Sequence, residues 1–142
     1  MIFVSKIEDV RDLDAAFTIR EKVFVEEQQV PAADEYDQYE KTAHHYLATQ
    51  NGVPCGAARW RQTDKGIKLE RFAVLPAYRN QEVGSHILHK VLQDVKAAHP
   101  DKTVYLHAQL PAVSFYERQS FETVGDMFSE CDILHYKMVL RA

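Results

Sequence analysis

Between Ile67 and Val74 the apolar face of the chain changes parity: Ile67 and Leu69 are odd-numbered, whereas Phe72 and Val74 are even. Side chains of a strand alternate strictly between two faces, so this switch requires one extra residue near Glu70-Arg71, a β-bulge. Pro76 ends the strand, and the polar turn Tyr78-Arg79-Asn80-Gln81-Glu82 follows. A helix then starts near Val83, with Val83, Ile87, Leu88, Val91, Leu92 and Val95 as a wide apolar stripe, until Pro100 and Asp101 stop it. A bulged strand that turns tightly into an amphipathic helix must lay that helix on a sheet, and bulges re-aim side chains beside sites.

The other periodicities supply the sheet. Ile2 to Ile7 reads as a short strand. From Asp9 the spacing of Leu13, Ala16, Phe17, Arg20, Val23 and Phe24 describes one helix face, which fades by Gln28 or Gln29 because Pro31 disfavours helical geometry at Val30. Pro31 to Thr42 is the longest loop candidate, and it is acidic, with Asp34, Glu35, Asp37 and Glu40 against Lys41. His45 to Ala48 leads into the hairpin signal Asn51-Gly52, then Val53 to Gln62 and the turn Asp64-Lys65-Gly66. Thr103 to Ala108 is strand-like, and Pro111 to about Gln119 is a short helix with proline in its first turn. Phe121 to Leu140 reads as two strands bracketing Ser129-Glu130-Cys131-Asp132. The order β-α-β-β-β-α-β-α-β-β describes an α/β (α+β) domain around one mixed sheet, and 142 residues fit a single domain, 1–142.

Composition narrows the function classes. With 46% hydrophobic and 27% charged residues the chain is neither disordered, collagen-like nor membrane-spanning, and no run approaches the roughly 18 apolar residues of a bilayer span. The start Met-Ile-Phe-Val-Ser-Lys lacks the pattern of a secretion signal. A net charge of -4 argues against nucleic acid as the main partner. Two cysteines fit a reducing, cytoplasmic setting, with Cys55 filling core space and Cys131 in a polar turn. No metal site is expected: His44 and His45 point to opposite faces of a strand, and His86 and His89 lack partners at zinc spacing.

The polar turn carries the chemistry. Unpaired N–H groups at a helix start, with the helix dipole, make an anion site suited to a phosphate or diphosphate, and Gly84 would let a ligand approach the backbone. Ordinary β–α junctions present such groups as well, so the surrounding residues decide. No Gly-Lys-Ser/Thr follows, which excludes a P-loop.

Those surroundings resemble a known family. Leu69 to Ser85 resembles motif A of the GNAT superfamily of acyl-CoA-dependent N-acyltransferases, Arg/Gln-x-x-Gly-x-Gly/Ala after a bulged strand ending in Val-x-Pro. Leu106-His107-Ala108-Gln109, Ala112, Phe115-Tyr116-Glu117-Arg118 and Phe121 resemble motif B. Arg20 to Gln28 with Val30-Pro31, Asp37, His45 and Ile133-Leu134-His135 resemble the ElaA-type branch.

The resemblance implies acetyl-CoA as co-substrate and an N-acetyltransferase acting on a primary amine of a small molecule or peptide. It implies pantetheine pairing along Phe72, Ala73 and Val74, and diphosphate contacts from Arg79, Asn80, Gln81, Val83, Gly84 and Ser85. On the acceptor side it implies Arg20, Phe24, Glu27, Gln28, His45 and His107. Tyr116 matches the motif tyrosine, the candidate acid for the departing thiolate. Glu70 leads as base: it shares parity with Phe72 and Val74 at the bulge, and burial is expected to raise its pKa, with Glu27, His107 or a water chain as alternatives. Two departures stand out: Glu82 and Ser120 replace motif glycines, and a turn needing positive φ there would be strained. The acidic loop is expected to favour a cationic amine. A catalytically silent acyl-CoA sensor and a protein-interaction scaffold are the competing readings, and an exposed edge among the C-terminal strands would allow a homodimer.

Overall fold

The computed structural model describes residues 1–141. The strands are β1 (Ile2–Lys6), β2 (His44–Gln50), β3 (Val53–Thr63), β4 (Gly66–Val74), β5 (Val104–Gln109), β6 (Phe121–Glu130) and β7 (Ile133–Leu140). The helices are α1 (Val10–Arg20), α2 (Ala32–Glu35), α3 (Val83–Ala98) and α4 (Val113–Arg118). The seven strands form one sheet in the order β1-β2-β3-β4-β5-β7-β6, antiparallel except for the parallel pair β4–β5. Among the described residues, no helix is long and apolar enough to cross a membrane.

Local chemistry explains the elements. The Asp9 carboxylate caps α1 by accepting from the Asp12 N–H at 2.8 Å. That helix does not simply fade: Glu21–Glu27 continues it as a π-helical turn, whose wider winding ends with Gln28 N–H donating to Val23 C=O at 3.1 Å. The acidic loop carries α2, which its polar composition concealed. Asn51 and Gly52 both adopt positive φ, 53° and 83°, as a tight hairpin demands, and Cys131 and Asp132 do the same between β6 and β7.

The bulge lies where the parity switch predicts it. Ala57 pairs with Ala73 and Arg59 with Glu70, so two steps on β3 face three on β4, and Arg71 takes φ 56°. Phe72 and Val74 are thereby returned to the face of Ile67 and Leu69, against α3, while Glu70 and Ala73 face α1. Two apolar layers result. Val83, Ile87, Leu88, Val91 and Val95 pack on one side of the sheet; Ala16, Ile19, Val23 and Phe24 pack on the other. At Gly56 the approach of α3 is close enough that a Cβ would stand 2.8 Å from Ile87 Cδ1.

One topological feature prepares the site. β4 and β5 pair only over Ile67–Leu69 with Val104–Leu106. Beyond that point β4 stays with β3 and β5 with β7, and the two strands part company.

Candidate active site

The parting strands open a cleft of about 570 Å³, lined by Leu69 to Phe72 on one side and Leu106 to Gln109 on the other. Phe24 and Gln28 close it from the N-terminal helix, Tyr116 from α4, and Cys131, Ile133 and His135 from the C-terminal hairpin. Gln28 and Gln109 bridge its mouth by exchanging amide hydrogen bonds of 2.8 and 3.1 Å. Of the sequence-predicted site residues, Phe24, Gln28, Glu70, Phe72, His107 and Tyr116 therefore meet in one cavity.

Tyr116 is buried among Phe115, Phe121 and Phe72, with ring centroids 5.0, 5.8 and 6.3 Å away and all three contacts edge-on. Burial raises its pKa, so the phenol holds its proton throughout the neutral range.

Glu70 departs from expectation in two ways. The bulge places it opposite Arg59 on the α1 face, not with Phe72 and Val74. There Arg59, Arg61 and Lys68 bring nitrogens to 3.0, 2.8 and 3.2 Å of its carboxylate. Burial pushes its pKa up, but the three cations outweigh that push and the net direction is down. A carboxylate so neutralised is a weak base.

Three of the four acids of the acidic loop are likewise paired, while Asp34 stays exposed at the cleft. Glu35 binds Arg20 Nε at 2.6 Å, Glu40 binds Arg20 at 2.7 Å and Arg59 at 2.9 Å, and Asp37 binds Arg59 at 2.7 Å. Arg71 adds contacts of 3.2 Å to both Glu35 and Asp37. Burial opposes ionisation of Asp37, yet Arg59, the Tyr39 N–H and Arg71 together hold its pKa at about 2. Arg20 and His45, expected on the acceptor side, serve this cluster instead. Arg20 is only 2% exposed, and His45 Nε2 lies 2.7 Å from the Glu40 carbonyl, so neither reaches the cleft.

At the turn, α3 begins at Val83 after Glu82, which adopts left-handed φ 69° and caps nothing with its side chain. Asn80 is also left-handed, at φ 62°, and Ser120 at φ 74°, so both positions where the family has glycine demand it conformationally. The N–H groups of Val83, Gly84 and Ser85 precede any intrahelical acceptor, and α3 itself leaves them unpaired. A Cβ on Gly84 would make only ordinary contact, 3.5 Å from Phe115 Cζ, so internal packing does not require glycine there. Arg79 is engaged already: both terminal nitrogens bind Glu27 at 2.7 Å, and Nε donates to Val74 C=O at 2.9 Å.

Residues 8–142 match the family model described as an acetyltransferase (GNAT) domain. The chain belongs to the GNAT acetyltransferase family. The Bacillus subtilis (strain 168) protein described as an uncharacterized N-acetyltransferase, YjcF, is 38% identical over 128 residues, covering 89% of this chain and 91% of that protein. The crystal structure of Escherichia coli ElaA superposes with TM-score 0.89 at 29% identity, covering 99% of this chain and all of that one, which places this GNAT domain with the ElaA-type branch. An acyl-CoA N-acyltransferase from Pseudomonas aeruginosa gives TM-score 0.86 at 26% identity, with 99% of both chains covered. The splayed sheet of this chain is thus the GNAT sheet.

Sequence reasoning missed Arg61, Lys68, Gln109 and Glu130, all of which line the cleft. A signal existed for the first two: Arg59, Arg61, Lys68 and Glu70 alternate on neighbouring strands, as charges sharing one face must. Glu130 had none, because only the turn at Cys131-Asp132 folds it back over β5.

Proposed function

We propose that the protein transfers an acetyl group from acetyl-CoA to a primary amine of a small molecule or peptide, directly and without an acyl-enzyme. The observation that carries this reading is the parting of β4 from β5 beyond Leu69 and Leu106 with Tyr116 seated in the gap. Released from a β5 partner, the main chain of Phe72, Ala73 and Val74 is available to an extended pantetheine arm. The unpaired N–H groups of Val83, Gly84 and Ser85, with Asn80, Gln81 and Arg79 beside them, suit a diphosphate. Arg79 would have to leave Glu27 to reach it.

An acyl-CoA thioester supplies the acyl carbon: its C–S bond breaks as the N–C bond forms, and the sulfur leaves with the electron pair. Tyr116 Oη gives that sulfur a proton and recovers one from the new amide nitrogen, so the phenol ends as it began. A main-chain N–H of the bulged strand is the natural donor to the oxygen that becomes negative.

The test is thiol release from acetyl-CoA with a panel of amines, run beside thermal shift with CoA. Wild type should bind CoA and release thiol with at least one amine; Tyr116→Phe should keep the thermal shift and lose about 10²-fold in turnover. Undiminished turnover in Tyr116→Phe removes that residue from the reaction. Glu82, a carboxylate beside the diphosphate turn, favours a second reading, a silent acyl-CoA sensor, for which CoA binding without turnover would speak.

A further inference from the structure

Resting on the acyl-transfer reading above, we propose that His107 is the general base that deprotonates the acceptor ammonium, and that Glu130 is the positioning residue that orients it. His107 directly follows Leu106, the last β5 residue paired to β4, so it stands where the cleft begins. Its ring packs edge-on against Phe128 at 5.0 Å and lies 6.2 Å from Tyr105, which fixes the imidazole plane. Nδ1 is buried and makes no well-aligned hydrogen bond; Glu130 Oε2 lies 3.4 Å from it. Catalytic hydrogen bonds are often this loose before substrate arrives. With Nδ1 turned to the carboxylate, Nε2 is left to take a proton.

The rival carboxylates are compromised. Glu70 is neutralised by three cations, and Glu27 is clamped by Arg79 outside the cleft. Glu130 likewise remains ionised, but it faces the imidazole: His107 first, against burial and aided by Lys68 and His135, holds its pKa at about 2. The groups around His107 are Tyr105 on β5, Lys137 opposite it on β7, Phe128 and Glu130 on β6, and beyond Glu130 the cations Lys68 and His135. Glu130 is thus the carboxylate that faces the His107 ring. In the reaction, Nε2 takes one proton from the ammonium, the neutral amine attacks, and the imidazolium later yields that proton to water.

The experiment measures kcat and KM separately for acetyl-CoA and the best amine of the panel, beside the thermal shift with CoA. His107→Gln should lose about 10²-fold at pH 7 while retaining the CoA-induced thermal shift. Glu130→Gln leaves the ring without the carboxylate that faces it and should lower kcat about tenfold while KM and the thermal shift hold, and Glu130→Asp should recover part of that loss. An unchanged kcat in Glu130→Gln, or no recovery in Glu130→Asp, overturns the role of Glu130, and wild-type turnover in His107→Gln overturns that of His107. A wild type that binds CoA but acylates no amine in the panel overturns the transfer reading, and this assignment with it.

Discussion

Glu27 holds Arg79 by both terminal nitrogens at 2.7 Å, and the third nitrogen of Arg79 donates to the carbonyl of Val74. One side chain thus straps the end of the bulged strand to the N-terminal helix, beside the turn that precedes α3. An exposed pair of this kind is worth roughly 0.2–1 kcal/mol, which binding of a diphosphate by Arg79 must overcome. Glu27→Gln is therefore expected to tighten CoA binding by about two- to fivefold in calorimetric titration, and Arg79→Ala to weaken it. Identical affinity in all three proteins would show that Arg79 never leaves Glu27.

The left-handed residues at glycine positions give a stability prediction. Glu82 and Ser120 sit at φ 69° and 74°, where a side chain is strained. Glu82→Gly and Ser120→Gly should each gain about 0.5–1 kcal/mol, allowing for the greater freedom of glycine in the unfolded chain, or roughly 1–4 °C in melting temperature. A lower melting temperature in either variant would count against the strain. Glu82→Gly should also bind CoA more tightly, since it removes a negative charge beside the turn.

Acid sensitivity follows from Asp37. Its folded pKa of about 2 lies below the unfolded value near 3.9, so the stabilisation is present above about pH 4 and is lost as pH falls toward 2. Glu35 runs in the opposite direction: burial, the largest influence, outweighs Arg20 and Arg71 and raises its pKa, so its charge costs stability at neutral pH and acid relieves that cost. Denaturant titrations should find Asp37→Asn about 2 kcal/mol less stable than wild type at pH 7, with the gap closing between pH 4 and pH 2. A constant gap would place the effect of Asp37 in packing alone.

Arg59 is the hub of the charged layer. It is wholly buried and touches Asp37, Glu40 and Glu70. Arg59→Met leaves three carboxylates short of a partner and should cost about 3–5 kcal/mol in chemical denaturation. A loss below 1 kcal/mol would mean that Arg20, Arg61 and Lys68 suffice.

What the sequence discloses is local. The Asn51-Gly52 hairpin, the bulge at Arg71 and the stripe of α3 depend on residues within a few positions of one another, and each appears where periodicity puts it. The charged layer was illegible because its bonds join separate segments. Arg20 meets Glu35 and Glu40, and Arg59 meets Asp37, only after the acidic loop folds across the sheet. Read alone, that loop is a line of negative charge; folded, its Glu35, Asp37 and Glu40 are matched by arginines. Glu70 shows the same limit in miniature. Its number shares parity with Phe72, but the bulge inferred from that parity turns it to the other face. The GNAT motifs identified the fold; they could not identify the three cations that surround Glu70.

The short seam between β4 and β5 has a mechanical consequence. Three residue pairs are the whole hydrogen-bonded junction between a four-stranded plate and a three-stranded one. A molecule lying in the gap would touch both plates and act as a splint, so loading the enzyme should slow amide exchange along the seam more than at the hairpin tips. In this architecture the guest supplies rigidity that the sheet omits.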